Sequence, residues 1–426
     1  MSNFSVKVTA LMVALTVGSP RTSANDTELR ILADGHISTK NRAKVGLALS
    51  GGGAKGAAHV GVLRYLETNH IAIDYIAGTS IGAYVGGLYA LGYSADEIET
   101  IMLELDWESG FDDQVPRTAL NYQDKQDFDR FNLPFEFGLS EGELLIPQGV
   151  LRGQTMANLY IRSAGMVPVQ ASFNDLAIPF KAISTDIATG KAVVIDSGNV
   201  LTAMQASASV PGILQPVEVE GAYLADGGMV SNMPADTVRA MGADIVIAVD
   251  IGDDLAPKEE LQDSIAILSQ LSTMMTRLNA VEQIANLQPQ DILIRPDISQ
   301  LGTTDFASMP LGFKNGEQAA AHHAEQLLPL AKSAQNFADY QAQRLQYKQS
   351  LQAFQQRPVD RVVVQSDSVE ADEKITAALA IAAGDTVDKD EIVEAIDRVY
   401  ALNNFERVAA EITEDELQQK VLKLNL

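Results

Sequence analysis

Cysteine is absent from the chain. That removes disulfides, thiolate metal sites and a cysteine nucleophile together. It also fits an oxidising compartment, where a stray thiol is a liability. Positive charge is scarce: 31 Lys and Arg stand against 56 Asp and Glu, a formal charge of -25. Nucleic acid needs a basic face, so it is not expected as a partner. Simple electrostatic adsorption to anionic lipid is disfavoured for the same reason. There are only five histidines. No apolar run reaches the ~20 residues that a spanning helix needs. The run from Val8 to Val17 follows Lys7 and precedes small residues at Thr22 and Ala24. This is the layout of a secretory signal peptide, expected over 1–24.

What is present describes a globular protein, with 46% hydrophobic and 20% charged residues. At 426 residues, two or three domains are expected. A polar spacer is read over 25–42. From residue 43 to about 330, apolar strand runs alternate with helical patterns. This predicts an α/β domain with a mostly parallel sheet and helices on both faces. Residues 106–150 interrupt the alternation with Trp107, Phe128, Phe131, Phe135 and Phe137, and read as an insertion over the sheet. A helical linker is expected over 331–357. Composition shifts at Pro358, and residues 358–426 read as a small β-α-α-β-β module.

The chain is organised around Gly78-Thr-Ser-Ile-Gly82, between the short apolar strand 75–77 and a small-residue helix. A Gly-x-Ser-x-Gly turn in that setting is a nucleophile elbow. Gly78 and Gly82 let strand and helix approach. The hydroxyl of Ser80 is lifted onto a helix N-terminus, where negative charge is favoured. Upstream lies Gly51-Gly-Gly-Ala-Lys-Gly56, also between a strand and a helix. Amides of Gly51, Gly52 and Gly53 can form an oxyanion hole, with Lys55 adding positive charge. The same glycines, with Gly56, match a dinucleotide fingerprint whose ribose-binding acid would be Asp74.

A serine nucleophile needs a base. His322 and His323 sit inside an Ala-rich helical run and read as a solvated helix face; His59 and His70 read as structural. Asp226, followed by Gly227 and Gly228, sits on a loop after a hairpin strand. An aspartate withdrawn from water has a raised pKa and becomes a usable base. The alternative is that Asp226 only stabilises its turn or caps the helix near Pro234.

Taken in order, Gly51-Gly-Gly-Ala-Lys-Gly56, Gly78-Thr-Ser-Ile-Gly82, Ser207-Ala-Ser-Val-Pro211 and Asp226-Gly-Gly228 closely resemble the patatin-like phospholipases. The resemblance covers about 43–330. It implies a three-layer α/β/α fold, Ser80 as nucleophile, Asp226 as its base, and the 51–53 amides as oxyanion hole. It implies no metal, no cofactor and no catalytic histidine. The expected substrate is a phospholipid or other lipid ester, met at a membrane surface; a homo-oligomer is left open. Signal peptide, patatin-like domain and terminal module together resemble bacterial autotransporter-type phospholipases. In those, a POTRA domain precedes an outer-membrane barrel. The ~10-residue alternating strands of such a barrel are not found before Leu426. Export to the periplasm, outer membrane or surface of a Gram-negative-type bacterium is expected. Two competing readings are a nicotinamide-dependent enzyme using the 51–56 loop and a non-catalytic periplasmic interaction protein.

Overall fold

The computed structural model describes residues 27–31, 37–113, 138–140, 143–145, 151–252, 255–262, 264–365, 372–402 and 405–426. The expected signal peptide and the four insertion phenylalanines lie outside the described residues. The chain divides into two units, Met1–Arg42 and Ala43–Leu426. In the first, Thr27–Ile31 and Ile37–Asn41 pair antiparallel where a spacer was expected. In the first strand Leu29 and Ile31 alternate with polar residues; the second, Ile-Ser-Thr-Lys-Asn, shows no such alternation.

In the second unit, an eight-stranded sheet is built from β1 (Val45–Leu49), β2 (Tyr75–Thr79), β3 (Phe180–Asp186), β4 (Lys191–Ile195), β5 (Val217–Val219), β6 (Ala222–Asp226), β7 (Ile245–Val249) and β8 (Ile292–Ile294). Its order is β8-β7-β1-β2-β3-β6-β5, with β4 also on β3. Neighbours from β8 through to β3 are parallel; β4, β5 and β6 join antiparallel. Side chains of the parallel strands alternate between two apolar layers. Val45, Leu47, Leu49, Ile76 and Ile247 enter the main core. Ala48, Ala77, Val246 and Ala248 enter a smaller one with Val238. A sheet buried on both faces explains why these strands read as unbroken apolar runs.

The main core holds α1 (Ala57–Thr68), α2 (Ile81–Ala90) and α3 (Ala95–Glu104). α3 starts at a capping box, with Ser94 and Glu97 satisfying each other's backbone amides. α4 (Gln154–Ala164) and α5 (Val200–Ser207) cover the same side. The opposite side is covered by α6 (Ala235–Ala240) and the end of α7 (Ser264–Ala285), through Val238 and Ile284. α8 (Met309–His322) lies against α1: a Cβ on its Gly316 would stand 1.9 Å from Ala58 O.

The remainder departs from the expected linker and independent module. The stretch 331–357 is helical, as α9 (Ala334–Gln355), but its Arg344 is buried in the main body. Residues 358–426 do fold in the order β9 (Arg361–Gln365), α10 (Asp372–Leu379), α11 (Lys389–Tyr400), β10 (Ala409–Glu414) and β11 (Lys420–Asn425). They belong to the same unit as the large sheet. The reason is hydrogen bonding across the join. Gln154 donates to Val408 O at 3.0 Å and accepts from Val408 N at 2.8 Å. Val169 N donates to Ile412 O at 2.9 Å, and Asn158 reaches Asp397 at 2.7 Å. Buried polar groups paired this way cannot separate without leaving orphans.

Candidate active site

Strand register brings the two halves of the site together. One edge of β3 is taken by β4 along 182–186. The other edge is shared. β2 occupies it from Phe180 to Ile183, and β6 occupies Ser184 to Asp186 running the opposite way. The two strands therefore end facing each other, with Thr79 beside Ile183 and Asp226 beside Ser184. Ser80 follows directly. Its hydroxyl is near enough to the Asp226 carboxylate to draw that group's pKa down against the effect of burial.

The turn at Ser80 has the tightness expected of an elbow. Ser80 holds φ 55° and ψ -126°, a strained conformation for a residue with a side chain, and is the N-cap of α2. Gly82 is required by approach: a Cβ there would lie 2.3 Å from Leu49 O. The Ser80 amide donates to Ser207 Oγ at 2.9 Å, and Ser207 Oγ donates in turn to Ile183 O. Thr79 Oγ1 donates to Ser231 O at 2.8 Å.

Asp226 is buried, and burial pushes its carboxyl up to about 6, against the opposing pull of hydrogen bonds from Gly228 N and Ser80. Its Oδ1 accepts from Gly228 N at 2.7 Å. The turn-stabilising role and nearness to Ser80 therefore coexist in one side chain. Gly227 lets this loop dock on β3, since a Cβ there would meet Ile183 O at 2.2 Å. The Asp226 backbone is fixed by Ser209 O, which accepts its N–H at 2.8 Å, and by Thr185 Oγ1, which donates to its carbonyl at 2.8 Å.

Of the three loop amides, that of Gly51 is engaged. It donates to Asn232 Oδ1 at 3.1 Å and Asn232 O at 3.3 Å. Among the described residues, nothing takes up the N–H of Gly52 or Gly53. Gly52 and Gly53 are thus the two amides of the loop left open to a ligand. Lys55 is buried in the helical turn Gly53–Gly56.

The histidines stay out of this geometry where they are described. His59 is fully buried with Nε2 2.8 Å from Ser50 O, and burial lowers it to about 4. His70 stacks on Phe337; His322 is exposed, and His323 meets Gln326 at 2.9 Å. The dinucleotide reading loses its acid. Asp74 accepts from Val45 N at 2.8 Å and pairs with Lys44. Both contacts lie where β1 and β2 begin, whereas the glycine loop follows the end of β1.

Asn232, Ser207, Ser209 and Tyr160 were not singled out as site residues from sequence. Both serines lie within Ser207-Ala-Ser-Val-Pro211, a motif whose spacing was visible but whose contacts were not. Tyr160 is buried, and its hydroxyl pKa is raised by that burial and by the Asp226 charge. It carries no sequence signal.

Residues 47–239 match the family model described as patatin-like phospholipase. The lysophospholipase nte1 of Emericella nidulans is 30% identical over 62% of this chain and 17% of its own length. A patatin-like phospholipase domain-containing protein of Caenorhabditis elegans is 31% identical over 65% of this chain and 20% of its own. An NTE family protein of Mycobacterium bovis is 31% identical over 52% of this chain and 53% of its own. The chain thus spans a minor part of the fungal and nematode relatives. Among solved structures, VipD from Legionella pneumophila is 14% identical over 92% of this chain and 86% of that one. Its TM-score of 0.34 is too low to bear on the fold.

Proposed function

Because residues 47–239 carry the patatin-like phospholipase pattern, we propose that the chain is a serine hydrolase of lipid acyl esters working through Ser80 and Asp226. The observation that carries this reading is the convergence, at facing strand ends, of a strained serine at a helix N-terminus and a buried carboxylate with a raised pKa. Ser80 Oγ passes its proton to Asp226 and attacks the ester carbonyl. The amides of Gly52 and Gly53 receive the tetrahedral oxyanion; losing one such donor typically costs ~3–4 kcal/mol. Asp226 returns the proton to the leaving alkoxide, giving the acyl-enzyme. It then takes a proton from water, whose oxygen attacks the acyl carbon, and gives that proton to Ser80 Oγ as the acyl–serine bond breaks and the fatty acid leaves. With its pKa at about 6, Asp226 is ionised as a base near neutrality.

The name of the fungal relatives makes a monoacyl phospholipid the first substrate to try. Fatty-acid release, followed by mass spectrometry, is expected to fall at least about a thousandfold in Ser80→Ala and in Asp226→Asn. Turnover near the parent's in either variant would remove the pair from the mechanism. The strand–helix–helix–strand–strand order supports a POTRA-like identity for 358–426, and the N-terminal pattern supports export. Fractionation of expressing cells tests export: protein confined to the cytoplasm with its N-terminus uncleaved would contradict it.

A further inference from the structure

α7 is fixed on one side and bare on the other. Its Asn279 amide donates to Met229 O, and Thr276 Cγ2 lies 2.7 Å from where a Cβ on Gly228 would stand. Ala280 is buried and Ile284 packs in the smaller core. The helix therefore rests on the loop that carries Asp226. On the opposite side, Ile267, Leu271, Met274, Met275, Leu278 and Val281 are all exposed, Leu278 by 71% and Val281 by 60%. Spaced at 100° per residue, these six fall in a stripe little wider than ~100° and ~20 Å long. Thr276 projects directly away from its centre.

We propose that this stripe is the surface through which the chain sits on a zwitterionic lipid bilayer, beside the proposed acyl-hydrolysis site. The assignment rests on the hydrolase reading for its choice of lipid. Charge selects the kind of surface. Arg277 and Glu282 are the ionisable residues of α7 and balance; exposed Glu282 lies within the arc of the stripe at its C-terminal end. An interfacial helix that binds anionic lipid carries a Lys- and Arg-rich polar face. α7 has none, and the chain at -25 is repelled by such lipid. Side-chain type argues against a protein partner. Interface anchors are enriched in Trp, Tyr and Arg, whereas the stripe holds aliphatic side chains and two methionines. An apolar patch of this extent left uncovered in water marks an interaction site.

The test uses phosphatidylcholine vesicles and the full chain carrying Ser80→Ala, so that lipid is not consumed. Adding Leu271→Gln with Leu278→Gln is expected to lower vesicle partition about tenfold. In the chain with native Ser80, the same pair is expected to leave turnover of a dissolved short-chain ester within about twofold of the parent. Unchanged partition in the double variant would overturn the assignment. So would a parent that self-associates in sedimentation and loses that association, but not its vesicle binding, in the variant; the face would then belong to a second copy. If the parent binds vesicles through α7 yet hydrolyses no ester, the hydrolase reading fails and the surface assignment stands.

Discussion

The Ser80 elbow and the Arg344 cluster are both closely packed, and they are packed by opposite means. Around Ser80, closeness comes from missing side chains: Gly78 and Gly82 bring α2 against the ends of β1 and β2. Around Arg344, closeness comes from a large charged side chain with many partners. Its guanidinium donates to Glu67 Oε1 and Gln341 Oε1 at 3.0 Å each and to Tyr93 O at 2.7 Å, and lies 3.7 Å from the Tyr89 ring centroid. The first arrangement uses residues adjacent in the chain and leaves a motif. The second joins residues more than 250 apart and leaves none. The elbow turn is written locally, whereas the fastening of α9 is written in single residues.

This contrast can be broken most sharply at Arg344. Arg344→Ala strands Glu67 and the Tyr93 carbonyl and is expected to cost about 3–5 kcal/mol of stability. Chemical denaturation would read that loss, while turnover per folded molecule stays near the parent's. A proportionate fall in turnover would mean the two regions are coupled. Gly82→Ala should cost about 3 kcal/mol, because the new Cβ meets backbone atoms that cannot rotate away. Here turnover per folded molecule should fall too, since Ser80 is displaced.

Asp226→Asn sharpens the comparison through pH. The parent's carboxyl is raised from 3.8 to about 6. Its stabilising contribution is therefore complete below the unfolded-state pKa and is lost as pH rises through about 6. Asparagine never ionises. The variant should gain on the parent as pH rises from 4 to 8, by up to ~3 kcal/mol. The lowered pKa of His59 is shared by both chains and cancels in the difference. Melting curves at the two pH values check the sign. The smallest effect is expected from Arg162→Ala, which breaks a half-exposed pair with Asp390 at the join to the module. Its denaturation midpoint should move by less than about 1 kcal/mol. A larger shift would mean the join is held by charge instead of by the Gln154–Val408 bonds.

Legibility in the sequence follows the same division. Strands 45–49 and 245–249 were readable because burial on both faces leaves unbroken apolar runs. Ser80 and Asp226 were readable as candidates because tight turns demand glycine beside them. Their meeting was not, because it depends on β2 and β6 sharing one edge of β3 in opposite directions. Nor was the engagement of the Gly51 amide by Asn232, a contact across 181 residues. The burial of Arg344 within the helical stretch 331–357 was hidden for a related reason. A polar, Gln-rich helix looks solvated until its one arginine proves to be buried.

The most direct test is a fluorophosphonate ester probe followed by peptide mass spectrometry of the full chain. A single adduct on Ser80, formed far more slowly in Asp226→Asn, is the predicted result. An adduct on another residue, or equal labelling of Ser80 without the Asp226 carboxylate, would contradict it.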